Sequence, residues 1–245
     1  MSFNKSKCFV LHMSHKKNPW LMTNNMMDVP LESTSAQKYL GVEITSSLDW
    51  SVHINTIATK ANKTLGLLRK HLKHCTPKVK EIAYRTLVRP QMEYCSSVWD
   101  PYEKGDVATL EKVQRRAARF VKGDYKRESS AKQIICDLRW QSLEARRAVS
   151  HLSLMYKIAH GLVDVESQIL IRSGHATNNK LINNNQTRQS QGQHYRNILA
   201  LKSCHRASFY PRTVPEWNHL PPHIQNASSV DCFKSTLMRD QNIND

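Results

Sequence analysis

Lys112, Arg115, Arg116, Arg119 and Lys122 follow one another at intervals that lay them on a single arc of an α-helix. Val107, Leu110, Val113, Ala117, Phe120 and Val121 fall on the opposite arc. Guanidinium and ammonium groups held in such a row do one kind of chemistry well. They neutralise phosphates through charge-assisted hydrogen bonds and release the counterions of a nucleic acid. A second row precedes the first. Lys60, Lys63, Lys70 and Lys73 share an arc of an earlier helical stretch, away from Ile54, Ile57, Ala61, Leu65, Leu68 and Leu72. An ordinary solvated face mixes signs, whereas this arc carries lysines and no carboxylate. Both rows offer few aromatic or amide groups for reading base edges, so the binding they imply is independent of sequence.

Positioning these rows requires helices, and the local signals for them are plain. Leu48-Asp49-Trp50-Ser51 caps a helix predicted over Val52 to His74. Thr76-Pro77 starts the next, with Val79, Ile82, Ala83 and Leu87 as its apolar stripe, and Pro90 should kink or end it. A turn at Trp99-Asp100-Pro101-Tyr102 leads to the helix that opens around Gly105-Asp106 and carries the arginines. Ser130 caps a short helix through Cys136. Ser142 to His160 forms a longer one, with Ala145, Val149, Leu152, Met155, Tyr156 and Ala159 buried, stopped by Gly161. Arg146-Arg147 near its start opposes the helix dipole unless a carboxylate sits nearby.

Before these helices, short strands are expected at Cys8 to Leu11, near Asp28 to Glu32 and over Gln37 to Thr45, with Ser33-Thr34-Ser35 as a polar connection. After them, residues 164–202 are rich in Asn, Gln and Ser and read as a flexible linker. Phe209-Tyr210-Pro211-Arg212-Thr213-Val214 and Trp217-Asn218-His219-Leu220-Pro221 read as a rigid extended segment docking on a helical body. Ser229 then caps a last helix containing Phe233 and Leu237.

Composition points the same way. The 245 residues carry a formal net charge of +16 with a pI near 9.7, which calls for a polyanionic partner. No apolar run approaches a membrane span, and Met1 to Trp20 lacks the pattern of a secretory signal. The six cysteines are scattered with no CxxC pair, which suggests neither a disulfide framework nor a zinc ribbon and makes a reduced intracellular compartment, nucleus or cytoplasm, the expectation. His71, His74 and Cys75 form an HxxHC cluster. A metal site there would need a fourth ligand that the sequence does not nominate, so solvated histidines beside a buried cysteine is the expectation.

Several stretches resemble the region C-terminal to the polymerase core in LINE-type (non-LTR) retrotransposon reverse transcriptases. They are Tyr84, Leu87-Val88-Arg89-Pro90, Glu93-Tyr94, Ser97-Val98-Trp99-Asp100-Pro101-Tyr102 and Leu110 through Phe120, with Phe209 to Val214 and Trp217 to Pro221 near the C-terminal end. The resemblance makes Lys38-Tyr39-Leu40-Gly41-Val42 similar to the hairpin that holds a primer end, with Tyr39, Leu40, Gly41 and Val42 as its contact residues. Gly41 by itself is read equally as a bulge or as a place where backbones approach closely. Phe3-Asn4, Lys7-Cys8 and His12 resemble the segment after the catalytic aspartates, where a lysine helps pyrophosphate leave; Lys7, without the rest of that site, has no active role here. The resemblance implies a mainly α fold with a small N-terminal β-hairpin remnant, a helical thumb-like bundle and an extended C-terminal tail. Its expected divisions are 1–47 palm remnant, 48–163 thumb-like domain, 164–202 linker and 203–245 docking segment.

Reverse transcription uses carboxylates holding two magnesium ions, which the family displays as an Asp-Asp turn, and no Asp-Asp pair occurs in this chain. The expectation is therefore a truncated polymerase-derived protein with no catalytic residues, no metal site and no cofactor of its own, the Mg2+ belonging to the absent core. Its expected partner is RNA or DNA, foremost an RNA/DNA duplex, and no membrane, with the oligomeric state undetermined. Two other readings stand beside it: a helical module that meets an acidic protein, and a polymerase subunit complemented in trans.

Overall fold

The computed structural model describes residues 4, 7–14, 16, 22–165 and 194–241. The first compact unit comprises Met1–Cys95 and Pro101–Leu138; the second comprises Ser96–Asp100 and Arg139–Asp245. Helices dominate both, and the described strands form three small two-stranded pairs. No helix among the described residues is long and apolar enough to cross a membrane.

In the first unit, β1 (Phe9–Leu11) pairs in parallel with β4 (Glu32–Thr34), and β2 (Asn25–Met26) pairs antiparallel with β3 (Val29–Pro30). β4 takes up part of the stretch expected to be a polar connection. The stretch Gln37 to Thr45, read locally as one strand and by the resemblance as a hairpin around Lys38 to Val42, forms the hairpin β5 (Ala36–Tyr39) and β6 (Val42–Thr45), in the register Tyr39 opposite Val42. Leu40 and Gly41 form its two-residue turn with φ of 46° and 89°. Both positive values suit the turn twist that matches a right-handed ribbon, which is what glycine supplies there.

Helix α1 (Ser51–His71) begins where Asp49 Oδ1 accepts the Ser51 N–H at 2.9 Å. It stops three residues short of the expected His74, and Leu72 N donates back to Leu68 O. Thr76 is the N-cap residue of α2 (Pro77–Ala83), with proline in its first turn. Pro90 does not end this helical run. Tyr84–Val88 widens into a π turn in which Arg89 N donates to Tyr84 O, and α3 (Arg89–Glu93) continues past the proline. A widened turn relieves the ring's clash with the carbonyl four residues back. Gln91 Nε2 donates to Leu87 O (2.6 Å) and to Thr64 Oγ1 (3.0 Å), tying the widened segment to α1.

The expected apolar stripe of this segment is on the wrong face. Val79, Ile82 and Leu87 are exposed, while Tyr84, Val88 and Met92 are the buried set. Both faces are apolar, so periodicity alone could not choose between them. α5 (Lys104–Lys122) decides it, because its buried Gln114 accepts the Tyr84 hydroxyl at 3.0 Å. Ile54, Ala58, Ala61 and Leu65 of α1 and Leu110, Val113, Ala117, Ala118, Phe120 and Val121 of α5 complete the core. α6 (Ala131–Asp137), with Ser130 capping Gln133 N, packs on α5.

The second unit is built around α7 (Leu143–Ala159), capped by Ser142 accepting from Ala145 N. α4 (Ser96–Trp99) packs on it, as do α9 (Phe209–Asn218) and α11 (Val230–Gln241). α8 (Ser203–Arg206) adjoins α9, and α10 (Pro222–Gln225) adjoins α11. Leu152, Met155 and Tyr156 meet Val214, Trp217, Ile224, Phe233 and Leu237 in one core. Two expectations are corrected here. The segment from Phe209 is helical, not extended: Pro211 lies in the first turn, where its missing N–H costs nothing, and burial of Thr213, Val214 and Trp217 outweighs the bond lost at Pro215. The expected 48–163 domain is also divided, since α7 belongs to the second unit and shares its core with the C-terminal helices. Most of the expected 164–202 linker, residues 166–193, lies outside the described residues.

Candidate nucleic-acid interface

α1 and α5 make the most extensive helix pairing of the first unit. Three contacts set their direction. Ser51 Oγ donates to Asp106 Oδ2 at 2.8 Å, Arg116 Nη1 donates to Asn62 Oδ1 at 2.9 Å, and the Arg69 guanidinium lies 5.1 Å from the Tyr125 ring centre. Each step along α1 is matched by a similar step along the other segment, so the two helices run parallel. Alanines at positions 58, 61, 117 and 118 are buried, as close approach of two helices requires.

The Arg116–Asn62 hydrogen bond joins the two basic rows. Asn62 lies between Lys60 and Lys63, and its amide donates to Ala58 O, which holds the acceptor oxygen for Arg116. Lys60, Lys63, Lys70 and Lys73 are exposed, as are Lys112, Arg115, Arg116 and Lys122. α1 contains no Asp or Glu at all. On α5 the first-turn carboxylate, Asp106, is engaged by Ser51.

Arg119 departs from the expected row. It is half-buried, and its guanidinium donates to Lys126 O (3.1 Å), Ser129 O (2.7 Å) and, at 3.5 Å, Asp124 O. These carbonyls belong to the loop between α5 and α6, so Arg119 fastens that loop and does not offer its charge to solvent. The sequence signal was ambiguous because Arg119 shares the arc of Arg115 and Arg116. What separates it is the loop folding back over the last turn of α5.

The hairpin residues are also divided. Tyr39 and Leu40 are exposed at its tip, 65 % and 73 % respectively, and Tyr94 Oη donates to Leu40 O at 3.1 Å. Val42 is buried, so it anchors the hairpin and cannot contact a ligand. Glu43 N donates to His53 Nδ1 at 3.2 Å, and Thr45 Oγ1 bonds with the Asp49 backbone. The hairpin is thus docked on the start of α1. Burial holds the His53 pKa below its ordinary value, with Glu43 opposing and Lys38 adding to the shift.

A cavity of about 570 Å³ that helix periodicity does not predict lies at the C-terminal ends of α1 and α5. Arg69, Lys70, Lys73 and Lys80 line it together with Phe120, Tyr125, Gly66 and Gly123. Of these cations, Lys70 and Lys73 belong to the basic row of α1, and Arg69 and Lys80 lie outside both rows. No carboxylate lines it. His71 and His74 are exposed and Cys75 is half-buried; among the described residues no group of three or more His, Cys, Asp or Glu could hold a metal ion.

A charge cluster of a different character lies inside the second unit. Asp100 Oδ1 accepts from Arg147 Nε at 2.5 Å, Asp100 Oδ2 meets Arg212 Nη1 at 2.5 Å, and His151 Nδ1 is 3.8 Å from the same carboxylate. His151 Nε2 lies 3.2 Å from Ser96 O. Burial lowers the His151 pKa against the pull of Asp100, and burial raises that of Glu216. Asp100 is the carboxylate that Arg147, near the start of α7, requires. With side chains of Asp100 and Arg147 only 4 % and 1 % exposed, the cluster holds α4 and α9 on α7 and is structural.

Comparison with protein-family models, with curated proteins and with solved structures finds no match for this chain.

Proposed function

We propose that the chain binds nucleic-acid backbone, with an RNA/DNA duplex as its natural form and without sequence preference, through the basic side of the α1/α5 pair. In this reading it is a non-catalytic protein of reverse-transcriptase type, since it contains no Asp-Asp pair. The observation that supports it is the Arg116–Asn62 bond, which makes one surface of two basic rows on helices running in parallel. Lys60, Lys63, Lys112 and Arg115 border that bond, and α1 has no carboxylate to offset them. A surface of this kind gains most of its affinity from counterion release.

The test is the salt dependence of binding to a hybrid duplex. If about five phosphates are neutralised, log K falls against log salt with a slope of roughly −4. A Lys63→Gln, Lys112→Gln, Arg115→Gln variant should keep its circular dichroism and flatten that slope by about 2 to 3. A folded variant with unchanged slope and affinity would leave this face as mere solvated surface. Binding of an acidic protein that nucleic acid fails to displace would favour the interaction-module reading.

A further inference from the structure

The cavity between the C-terminal ends of α1 and α5 asks for an explanation that the basic face does not supply. Two parallel helices set two negative dipole ends side by side, each equivalent to roughly half a charge. About one cation would balance them, yet four line the cavity and no carboxylate does. The surplus faces a half-open recess of about 570 Å³, within the roughly 300 to 1,000 Å³ of small-ligand sites. One exposed flat surface accompanies the charge, the Tyr125 ring, while the Phe120 ring is buried. Tyr125, 53 % exposed, carries the Arg69 guanidinium over its ring, and Lys80 Nζ sits 5.6 Å from the Phe120 ring centre. Gly66 leaves the wall open, since a Cβ placed there would meet nothing within 4 Å.

We propose that this cavity receives one unpaired nucleotide: its base stacks on the Arg69–Tyr125 platform and its phosphate is held by Lys70, Lys73 and Lys80. Aromatic rings and arginine planes are the surfaces on which splayed-out bases stack, and convergent ammonium groups are what a phosphate seeks. A fully paired duplex cannot present a base to such a cavity. The inference rests on the nucleic-acid reading above and adds to it a preference for strands with an unpaired nucleotide.

The experiment compares the full chain's affinity for a blunt hybrid duplex, for the same duplex bearing a short single-stranded overhang, and for adenosine monophosphate. The overhang should tighten binding by about ten-fold, the scale of one stacked base. Gly66→Met should abolish that gain while leaving blunt-duplex affinity and salt slope intact, because methionine fills the opening and is a better helix former than glycine. Tyr125→Ala, at an exposed ring, should do the same. Competition by the mononucleotide against the overhang gain alone would support the site. An overhang gain that survives both variants overturns the proposal, as does the absence of any gain. If the mononucleotide binds but the overhang gives no gain, the strand-borne form is overturned and a free nucleotide is the ligand. Failure of the blunt duplex to bind would instead sink the underlying nucleic-acid reading.

Discussion

The Tyr84 hydroxyl donates to Gln114 Oε1 at 3.0 Å across the buried seam between the π turn and α5. Both residues are about 1 % exposed, so neither polar group can turn to water. This bond orients the segment Pro77 to Glu93, because it commits Tyr84, with Val88 and Met92, to the interior and turns Ile82 and Leu87 outward.

Replacing Gln114 by leucine should therefore destabilise the chain by about 1–3 kcal/mol, the cost of stranding a buried hydroxyl. Tyr84→Phe in the same background should recover part of that loss. A double-mutant cycle from urea unfolding would give a coupling energy near 1 kcal/mol if the two groups act as a pair. Strict additivity would mean that the bond contributes nothing.

Arg115 and Arg119 share an arc but should behave differently. Arg119→Gln removes charge-assisted bonds to Lys126 O and Ser129 O, and should cost about 1–3 kcal/mol of stability while exposing the α5–α6 loop to proteolysis. Arg115→Gln, at an exposed position, should stay within about 0.5 kcal/mol and change only the salt dependence of binding. Equal stability of the two variants would remove the loop-fastening role.

Acidification should loosen the hairpin. His53 has a folded pKa below the ordinary 6.5, mainly because it is buried, so below that pH the unfolded chain binds a proton that the folded chain resists. Stability is thus fully present above about 6.5 and falls as pH drops toward the folded value. A protonated ring also cannot accept the Glu43 N–H. Amide exchange of Val42, Glu43 and Ile44, corrected for intrinsic rate, should rise between pH 7.5 and 5.5 more than that of the α5 core. His53→Gln should flatten the response; an unchanged pH dependence in that variant would assign the effect elsewhere, His151 being, among the described residues, another buried histidine shifted in the same direction.

Most helix positions and one face of each long helix were determined by the sequence itself. Ser130, Ser142 and Ser229 cap the helices they were expected to cap, and the stripes of α1, α5 and α7 bury largely as their periods require. Such signals act within one or two turns, so they are legible from neighbours alone. The same holds for the two basic rows, whose members are exposed except for Arg119. Tertiary structure decided everything that depended on a choice between equal local options. Val79, Ile82 and Leu87 are as apolar as Val88 and Met92, and only a hydrogen bond to a residue 30 positions away selected the buried face. The proline-bearing run from Phe209 became a helix because α7 offered Trp217 and Val214 a core to enter. Arg119 was withdrawn from the cationic face by carbonyls that reach it only after the chain turns back. The cavity beside Tyr125 exists because α1 and α5 run parallel and bring their basic ends together, a relation between segments about 50 residues apart that no window along the chain contains.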